Sequence, residues 1–142
     1  MKKGEDYIGV SVVYFCHDGN GNFVMAKRSE NCRDEIGNWD IGGGGIEFGD
    51  TALETLKKEI KEEYCADVLE FEFLGYRDAF RENKGKKTHW IGLDFKVLVD
   101  PSKVAIGEPH KFTDLGWFQL DKLPERTHSL LPKFLERYKN KL

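Results

Sequence analysis

The stretch GGGGIEFGDTALETLKKEIKEEYCAD, residues 42–67, joins a run of glycines to a charged segment with the periodicity of a helix. Thr51 followed by Glu54 is a capping-box pattern, which predicts that a helix begins there and continues to about Tyr64. An apolar stripe recurs at helical spacing and consists of Leu53, Leu56 and Ile60. The stretch therefore predicts a glycine loop that leads into an amphipathic helix packed on a core.

Three carboxylates lie beside that stripe on the predicted helix, at Glu59, Glu62 and Glu63. At about 100° per residue, Glu59 and Glu63 lie about 40° apart, and Glu62 lies within roughly 100° of Glu63. Like charges at these spacings repel one another. Mg²⁺ or Mn²⁺ would turn the repulsion into attraction, because both ions prefer hard oxygen ligands. The residues therefore fit a metal site.

A solvated helix face is the alternative that the charges alone leave open. Three lysines of the same segment could serve as local partners, at Lys57, Lys58 and Lys61. The glycines at 42–45 and 49 favour the metal site, since they let the backbone turn tightly and bring its carbonyl and amide groups close to a ligand. The glycines and the glutamates are each common, but together at this separation they are far more specific.

The composition predicts a single globular domain over residues 1–142. Hydrophobic residues make up 39% of the chain and charged residues 33%, and the formal net charge is −3. No basic stripe stands out, which argues against a nucleic-acid polymer as partner and leaves a small anionic ligand open. The apolar run at 8–15 is too short to span a bilayer, so we interpret it as a buried strand and expect no membrane partner.

The cysteines are odd in number, widely spaced and without a C-x-x-C pair, at Cys16, Cys32 and Cys65. This usage is typical of reduced thiols rather than of a disulfide framework or a zinc site. We therefore expect a cytoplasmic protein.

The remaining pattern predicts a mixed α/β order along the chain. Strands are expected at 7–15, 23–27, 68–76 and 90–99, with short strands at 39–41 and 117–118. Polar segments predict a hairpin turn at 18–22, an exposed turn at 81–87 and a loop at 107–116. Apolar residues at helical spacing within 130–142 predict a final amphipathic helix packed on the sheet.

The spacing of glycine and glutamate resembles the box of the Nudix hydrolase superfamily, written G-x5-E-x7-R-E-U-x-E-E-x-G-U, where U is a bulky aliphatic residue. With the first box glycine on Gly44, the later box glutamates fall on Glu59, Glu62 and Glu63, and the aliphatic position falls on Ile60. Further similar segments are GGGIEFGD at 43–50, MAKRS at 25–29, WDIGG at 39–43 and GWFQLDKLPE at 116–125. The resemblance therefore covers nearly the whole chain.

Several box positions depart from the family pattern. Asp50 stands for the first box glutamate and Lys58 for the arginine, and both keep the charge but lose reach, so a weaker brace between loop and helix is expected. Cys65 stands where a glycine usually ends the helix at positive φ, which costs on the order of 1 kcal/mol for a residue with a side chain. Gly42 replaces the usual proline, and Ala66 fills the last aliphatic position.

The resemblance implies a Nudix-type α/β/α sandwich with a central mixed β-sheet and a MutT-like hydrolase. It implies that the carboxylates of Glu59, Glu62 and Glu63, with the carbonyl of Gly43, hold Mg²⁺, for which Mn²⁺ can substitute. The general base would be Glu59, Glu62 or a residue of the 107–116 loop. Two acidic residues lie on that loop, Glu108 and Asp114. For both of them surface solvation is the favoured interpretation.

The resemblance also implies a substrate in which a nucleoside diphosphate is linked to a group X. Arg28 would contact a substrate phosphate, with an exposed strand end as the equal alternative, and Gly44 would let the backbone approach the nucleotide. The favoured substrate is a nucleoside triphosphate or its oxidised form, cleaved to the monophosphate and pyrophosphate. ADP-ribose or a nucleotide sugar is the alternative substrate. The implied partner is thus a small-molecule nucleotide, and the protein is expected to be a monomer or a homodimer.

A second hypothesis is a Nudix-fold module that binds a nucleotide without cleaving it, because Asp50, Lys58 and Cys65 depart from the box. Degenerate binding modules commonly lose a box glutamate, whereas this chain keeps all three, so catalysis is favoured. Some aromatic residues could stack on a base, although packing is their more common role: Phe48, Phe80, Trp90 and Trp117. The histidines His89 and His128 are interpreted as structural or solvated.

Overall fold

A mixed sheet of seven strands lies between two helices, and the computed structural model describes the backbone of residues 1–142 and every side chain except that of Asn83. The strands are β1 (Gly9–His17), β2 (Phe23–Arg28), β3 (Trp39–Asp40), β4 (Gly42–Gly45), β5 (Glu70–Asn83), β6 (Lys86–Leu98) and β7 (Phe112–Phe118). The helices are α1 (Ala52–Tyr64) and α2 (Leu131–Tyr138), with a short 3-10 turn at Pro101–Lys103. In the described part of the chain, neither helix has the length and apolarity that crossing a bilayer requires.

The sheet is organised around β1, whose alternating apolar residues can face a core on both sides. The strand order is β3-β2-β1-β6-β5, with β4 paired to β1 and β7 paired to β2. β1 and β6 run parallel, from the pair Gly9 and Trp90 to the pair His17 and Leu98. β4 is antiparallel to β1, and β5 forms an antiparallel hairpin with β6 at the edge of the sheet. The predicted α/β/α sandwich with a central mixed sheet is confirmed.

Alternation along β1 divides the core between the two helices. Val12, Tyr14 and Cys16 lie on the face that α1 covers, where Leu56 and Ile60 of the predicted apolar stripe are fully buried. The cluster on the other face contains Phe15, Phe23, Met25, Leu131, Phe134 and Tyr138. Both predicted amphipathic helices therefore pack on the sheet, one on each face.

Both ends of α1 follow the expected pattern. The Thr51 hydroxyl accepts a hydrogen bond from the backbone N–H of Glu54 at 3.1 Å, as an N-cap residue does. At the C-terminal end, Cys65 has φ 59° and ψ 17°, and its N–H donates to the carbonyl of Lys61 at 3.0 Å. The helix thus ends in the left-handed conformation that glycine adopts more easily than cysteine.

Three segments differ from the prediction, in each case because pairing within the sheet overrides local preference. The glycines expected to form a loop, residues 42–45, form strand β4 against β1. The exposed turn predicted at 81–87 is confined to residues 84–85, and its flanking residues extend the hairpin of β5 and β6. The loop predicted at 107–116 ends at Phe112, where β7 begins and pairs with β2.

Candidate active site

Strand β4 and helix α1 meet at Gly44 and Glu59. A Cβ placed at Gly44 would lie 2.6 Å from Oε2 of Glu59, which is far too close for a real contact. β4 cannot move away easily, because its pairing with β1 places Gly44 opposite Val12. Glycine at this position leaves room for the Glu59 carboxylate where it lies, and a larger residue would displace the end of that side chain.

The carboxyl group of Glu63 is buried between α1 and the sheet. It accepts hydrogen bonds from the Tyr14 hydroxyl and from the backbone N–H of Gly43. Burial raises the pKa of Glu63 to about 8, while the nearby charge of Lys111 opposes the rise. Glu63 is therefore fully ionised at neutral pH only when a further positive charge compensates for its burial.

The other two glutamates lie closer to solvent on the same helix. Glu59 is half-buried and Glu62 is exposed. Burial raises the pKa of Glu59 and the charge of Glu62 raises it further, whereas Lys111 and Lys58 lower it. Mutual repulsion therefore acts on these carboxylates, and a divalent cation between them would relieve it.

The donor set fits a hard divalent cation. The carboxylates of Glu59, Glu62 and Glu63 and the carbonyl of Gly43 are all oxygen ligands of the kind that Mg²⁺ prefers. Among the side chains that the structure describes, no three His, Cys, Asp or Glu residues already converge as a metal site. The Glu63 carboxyl is instead held by Tyr14 and Gly43, so holding a cation requires rotation of glutamate side chains.

The segment that precedes β7 is anchored on the C-terminal end of α1. The N–H of Gly107 donates to the Glu63 carbonyl at 2.9 Å, and the N–H of Ala105 donates to the Tyr64 carbonyl at 3.0 Å. A Cβ at Gly107 would collide with the Glu62 carbonyl oxygen, so glycine is needed for this close approach. The anchor brings the residues after Gly107 beside the glutamates.

Of the two acidic residues predicted on this segment, only Glu108 lies beside the carboxylates. Its charge raises the pKa of both Glu59 and Glu63, and its side chain forms a 3.4 Å ion pair with Lys111. Asp114 is an exposed residue of β7 and pairs across the strands with Lys27. The prediction that both residues are solvated surface groups therefore fits Asp114 better than Glu108.

Two residues that shape the site were missed by sequence reasoning, Tyr14 and Lys111. The Tyr14 hydroxyl donates to Glu63, and the Tyr14 ring fills the space that a side chain at Gly42 would need, with Cζ 2.5 Å from the Cβ position. The proline that is usual in the family at position 42 would therefore collide with the Tyr14 ring, whereas Gly42 leaves room for it. The alternation that places Tyr14 on the same strand face as Val12 is the signal that could have identified it.

Arg28, the predicted phosphate contact, lies at the end of β2 beside an acidic residue. Its Nε donates to the Asp34 carbonyl at 3.0 Å, and its Nη2 donates to Asp34 Oδ1 at 3.1 Å. Asp34 also pairs with Arg81 at 3.0 Å. Arg28 lines the same cavity as Glu63, so the side chain is close to the candidate site although Asp34 engages its guanidinium. The phosphate contact stays a prediction.

Two adjoining cavities form a cleft beside the glutamates. One, of about 270 Å³, is lined by Glu63, Arg28 and the glycines of β4. The other, of about 220 Å³, shares Asp40 and Trp90 with the first and extends to a polar end formed by Arg33, Arg77, Arg81 and His128. Burial raises the pKa of Asp40 to about 7. The cleft therefore leads from the acidic helix to a region of hydrogen-bonding groups.

The brace expected between Asp50 and Lys58 is not formed as an ion pair within the described side chains. Both residues are exposed. The backbone N–H of Asp50 donates instead to the Glu47 carbonyl at 3.0 Å, and the Glu47 carboxylate pairs with Lys3 at 2.9 Å. The segment in front of α1 is thus tied to the N-terminal residues.

Comparison with known sequences identifies the family. The NUDIX domain family matches residues 8–138. Nucleoside triphosphatase NudI of Enterobacter sp. (strain 638) is 29% identical over 112 residues, which cover 73% of this chain and 77% of the relative. Nucleoside triphosphatase NudI of Escherichia coli (strain K12 / DH10B) is 25% identical over 111 residues, with the same coverage.

Solved structures share the fold. The MutT NUDIX hydrolase from Burkholderia pseudomallei matches with a TM-score of 0.81 at 23% identity, covering 93% of this chain and 98% of that one. The MutT protein from Methanosarcina mazei Go1 matches with a TM-score of 0.79 at 23% identity, covering 100% and 99%. Because the family match extends over residues 8–138, the chain belongs to the NUDIX domain family and is a Nudix hydrolase.

Proposed function

We propose that the protein is a Mg²⁺-dependent pyrophosphohydrolase that cleaves a nucleoside triphosphate to the monophosphate and pyrophosphate. The observation that carries the proposal is the contact of β4 with α1, where the Glu59 carboxylate fills the space beside Gly44. This contact places the acidic helix at the edge of a cleft large enough for a nucleotide. The similar NudI proteins, which are named nucleoside triphosphatases, support the choice of substrate.

The catalytic centre in this proposal consists of Glu59, Glu62 and Glu63, with the Gly43 carbonyl as a further metal ligand. A bound Mg²⁺ would neutralise charge on the phosphate oxygens and lower the pKa of the attacking water. Tyr14 holds the Glu63 carboxyl against the sheet until its side chain rotates toward a cation, and the Glu59 carboxylate lies against Gly44, which lines the cleft. Glu59 and Glu62 are the candidates for the base.

Different parts of the cleft would bind the phosphates and the nucleobase of the substrate. Arg28 and Lys111 supply positive charge near the glutamates, where the phosphates would lie. Gly44 belongs to the strand that borders the phosphates, and its backbone can approach them because no side chain intervenes. The nucleobase would lie in the second cavity, beside Trp90 and Asp40.

Glu108 is a third candidate base, favoured by one specific observation. Its charge acts on both Glu59 and Glu63, and the anchored Gly107 holds it near them. In the present structure Lys111 pairs with it at 3.4 Å. A pH profile of kcat for Glu108→Gln distinguishes the roles, because loss of the base removes the acidic limb whereas loss of a surface charge leaves it.

The proposal extends to the setting of the enzyme. We place one domain over residues 1–142 and a cytoplasmic location, which the three free cysteines support. ADP-ribose or a nucleotide sugar is the alternative substrate, and a nucleotide-binding module without activity is the alternative class. The triphosphate hydrolase, the ADP-ribose or nucleotide-sugar hydrolase and the binding module would all use the same cleft, and they differ in the products that they release.

Product analysis separates these alternatives. The protein is incubated with Mg²⁺ and a panel of ordinary and oxidised nucleoside triphosphates, ADP-ribose and nucleotide sugars, and the products are resolved by ion-exchange chromatography. The proposal predicts nucleoside monophosphate with an equal amount of pyrophosphate from a triphosphate. Turnover of ADP-ribose or a nucleotide sugar alone would show that this compound, and not a nucleoside triphosphate, is the substrate. Binding of a nucleotide without turnover in the presence of Mg²⁺ would show that the protein is a binding module and not an enzyme.

A further inference from the structure

An apolar surface on β5 lies outside the cleft and has no part in the proposed reaction. It consists of Leu69, immediately before the strand, and four side chains of β5, all between 48% and 69% exposed: Phe71, Phe73, Tyr76 and Phe80. Single exposed apolar residues are ordinary on a protein surface, but a row of five along one strand and the residue before it is not. We refer to these residues as the β5 apolar face.

The register of the hairpin shows that the β5 apolar face lies on one side of the sheet. Phe71 and Phe73 pair with Val97 and Phe95, which belong to the core beneath α1. A bulge between Phe73 and Gly75 then shifts the register. Because of this bulge, the later residues return to the same side and pair with the next positions along β6, Tyr76 with Leu93 and Phe80 with His89.

Helix α1 leaves this part of the sheet uncovered because it packs on β1 and β4, which lie on the far side of β6. Phe95 and Val97 of β6 are buried, yet their cross-strand partners on β5 remain about half exposed. The same face of the sheet is therefore a closed core under α1 and an open apolar surface at the β5 edge. An open edge of this kind is where further chains pair or pack.

The size of the surface suits a second copy of the protein. An aromatic side chain can bury about 150–250 Å², so five large residues at half exposure offer roughly 500 Å². This area is at the upper end of the range for the largest apolar patch on a monomer. A stable interface needs about 800 Å² from each partner, of which about 65% is apolar in homodimers. The β5 apolar face supplies that apolar share, and the charged residues around it supply the rim.

We propose that the β5 apolar face is the interface of a homodimer in which this face of one copy packs on the same face of the other. A twofold axis generates such an interface because the same surface serves both copies. The interface lies on the face of the sheet that also carries α1. This dimer does not depend on which nucleotide the cleft accepts.

Sedimentation velocity of the intact chain tests the interface. Over about 1 to 100 μM the wild-type protein is expected to convert from monomer to dimer, and Phe80→Asp is expected to weaken dimerisation roughly tenfold or more. Phe71→Asp provides a second variant on the same face, and Leu123→Asp is the matched control because Leu123 is exposed outside the face. A monomeric wild type at the highest concentration, or equal dimerisation of all variants, would overturn the proposal.

Discussion

The carboxylate of Glu59 lies in the space that a side chain at Gly44 would fill, with Oε2 only 2.6 Å from the Cβ position. This relationship links the glycine strand to the acidic helix. β4 is fixed by its pairing with β1, and α1 is fixed by the burial of Leu56 and Ile60. Neither element can yield cheaply, so an added methyl group must displace the Glu59 side chain.

Gly44→Ala is therefore expected to lower kcat by roughly a hundredfold, because a displacement of about 1 Å in a reacting group can have an effect of that size. Steady-state kinetics with a nucleoside triphosphate and Mg²⁺ measures it. Gly45→Ala is the matched control, since its Cβ would lie 3.5 Å from the Trp90 ring, an ordinary contact. Equal activity of the two variants would show that the Gly44 contact has no catalytic consequence.

Tyr14→Phe is expected to lower the free energy of unfolding by about 1–3 kcal/mol, because it removes a hydrogen-bond donor from the buried carboxyl of Glu63. The loss should be measured by urea denaturation in metal-free buffer. Tyr7→Phe is the control, since Tyr7 is exposed. If both variants unfold at the same urea concentration, the Tyr14 hydroxyl does not stabilise Glu63.

Cys65→Gly is expected to be more stable than Cys65→Ala by about 1 kcal/mol, because position 65 has φ 59° and only glycine adopts that conformation without strain. Comparison of these two variants removes the contribution of the sulfur, which both lack. Thermal or urea denaturation gives the difference. Alanine as stable as glycine would mean that the end of α1 carries no strain at this position.

Stability is expected to fall as the pH rises from 7 to 8 in metal-free buffer. Burial raises the pKa of Glu63 from 4.5 to about 8, so the folded protein binds more protons than the unfolded chain between these values. Burial raises the pKa of Asp40 to about 7, so Asp40 contributes a smaller part of the same decrease, whereas burial lowers the pKa of His128 to about 4, so that ring changes charge below this interval. The expected decrease is on the order of 1 kcal/mol.

Glu63→Gln should abolish most of that pH dependence, because glutamine does not titrate. Urea denaturation of both proteins at several pH values between 7 and 8 provides the test, with Glu54→Gln as the control on the same helix. A slope that persists in Glu63→Gln would assign the proton to another group. Saturating Mg²⁺ should also reduce the slope in the wild type, since a cation favours the ionised carboxylate.

The sequence was sufficient for α1, because its cap, apolar stripe and glutamates all lie within one short segment. The N-cap Thr51 and the left-handed Cys65 are found where the pattern predicts them. α2 was predictable for the same reason, since Leu131, Phe134 and Tyr138 recur at helical spacing and are buried. Local patterns thus identified both helices and the candidate metal ligands.

The strands and the rest of the site depend on contacts between distant segments. Four consecutive glycines carry no strand preference, and only pairing with β1 makes residues 42–45 a strand. Tyr14 and Lys111 reach Glu63 from positions far away in the sequence, so their spacing to Glu63 gave no signal. The polar residues at 81–87 resemble a turn but alternate across a long hairpin at the sheet edge.

The most direct test of the account is the initial rate of pyrophosphate release from a nucleoside triphosphate with Mg²⁺, compared among wild type, Glu62→Gln, Glu63→Gln and Glu54→Gln. The account predicts that the rate falls by about a hundredfold or more in Glu62→Gln and Glu63→Gln, because each removes charge from the metal site. Glu54→Gln, on the first turn of the same helix, should keep the wild-type rate. Wild-type rates in folded Glu62→Gln and Glu63→Gln would contradict the assignment of the acidic helix as the catalytic centre.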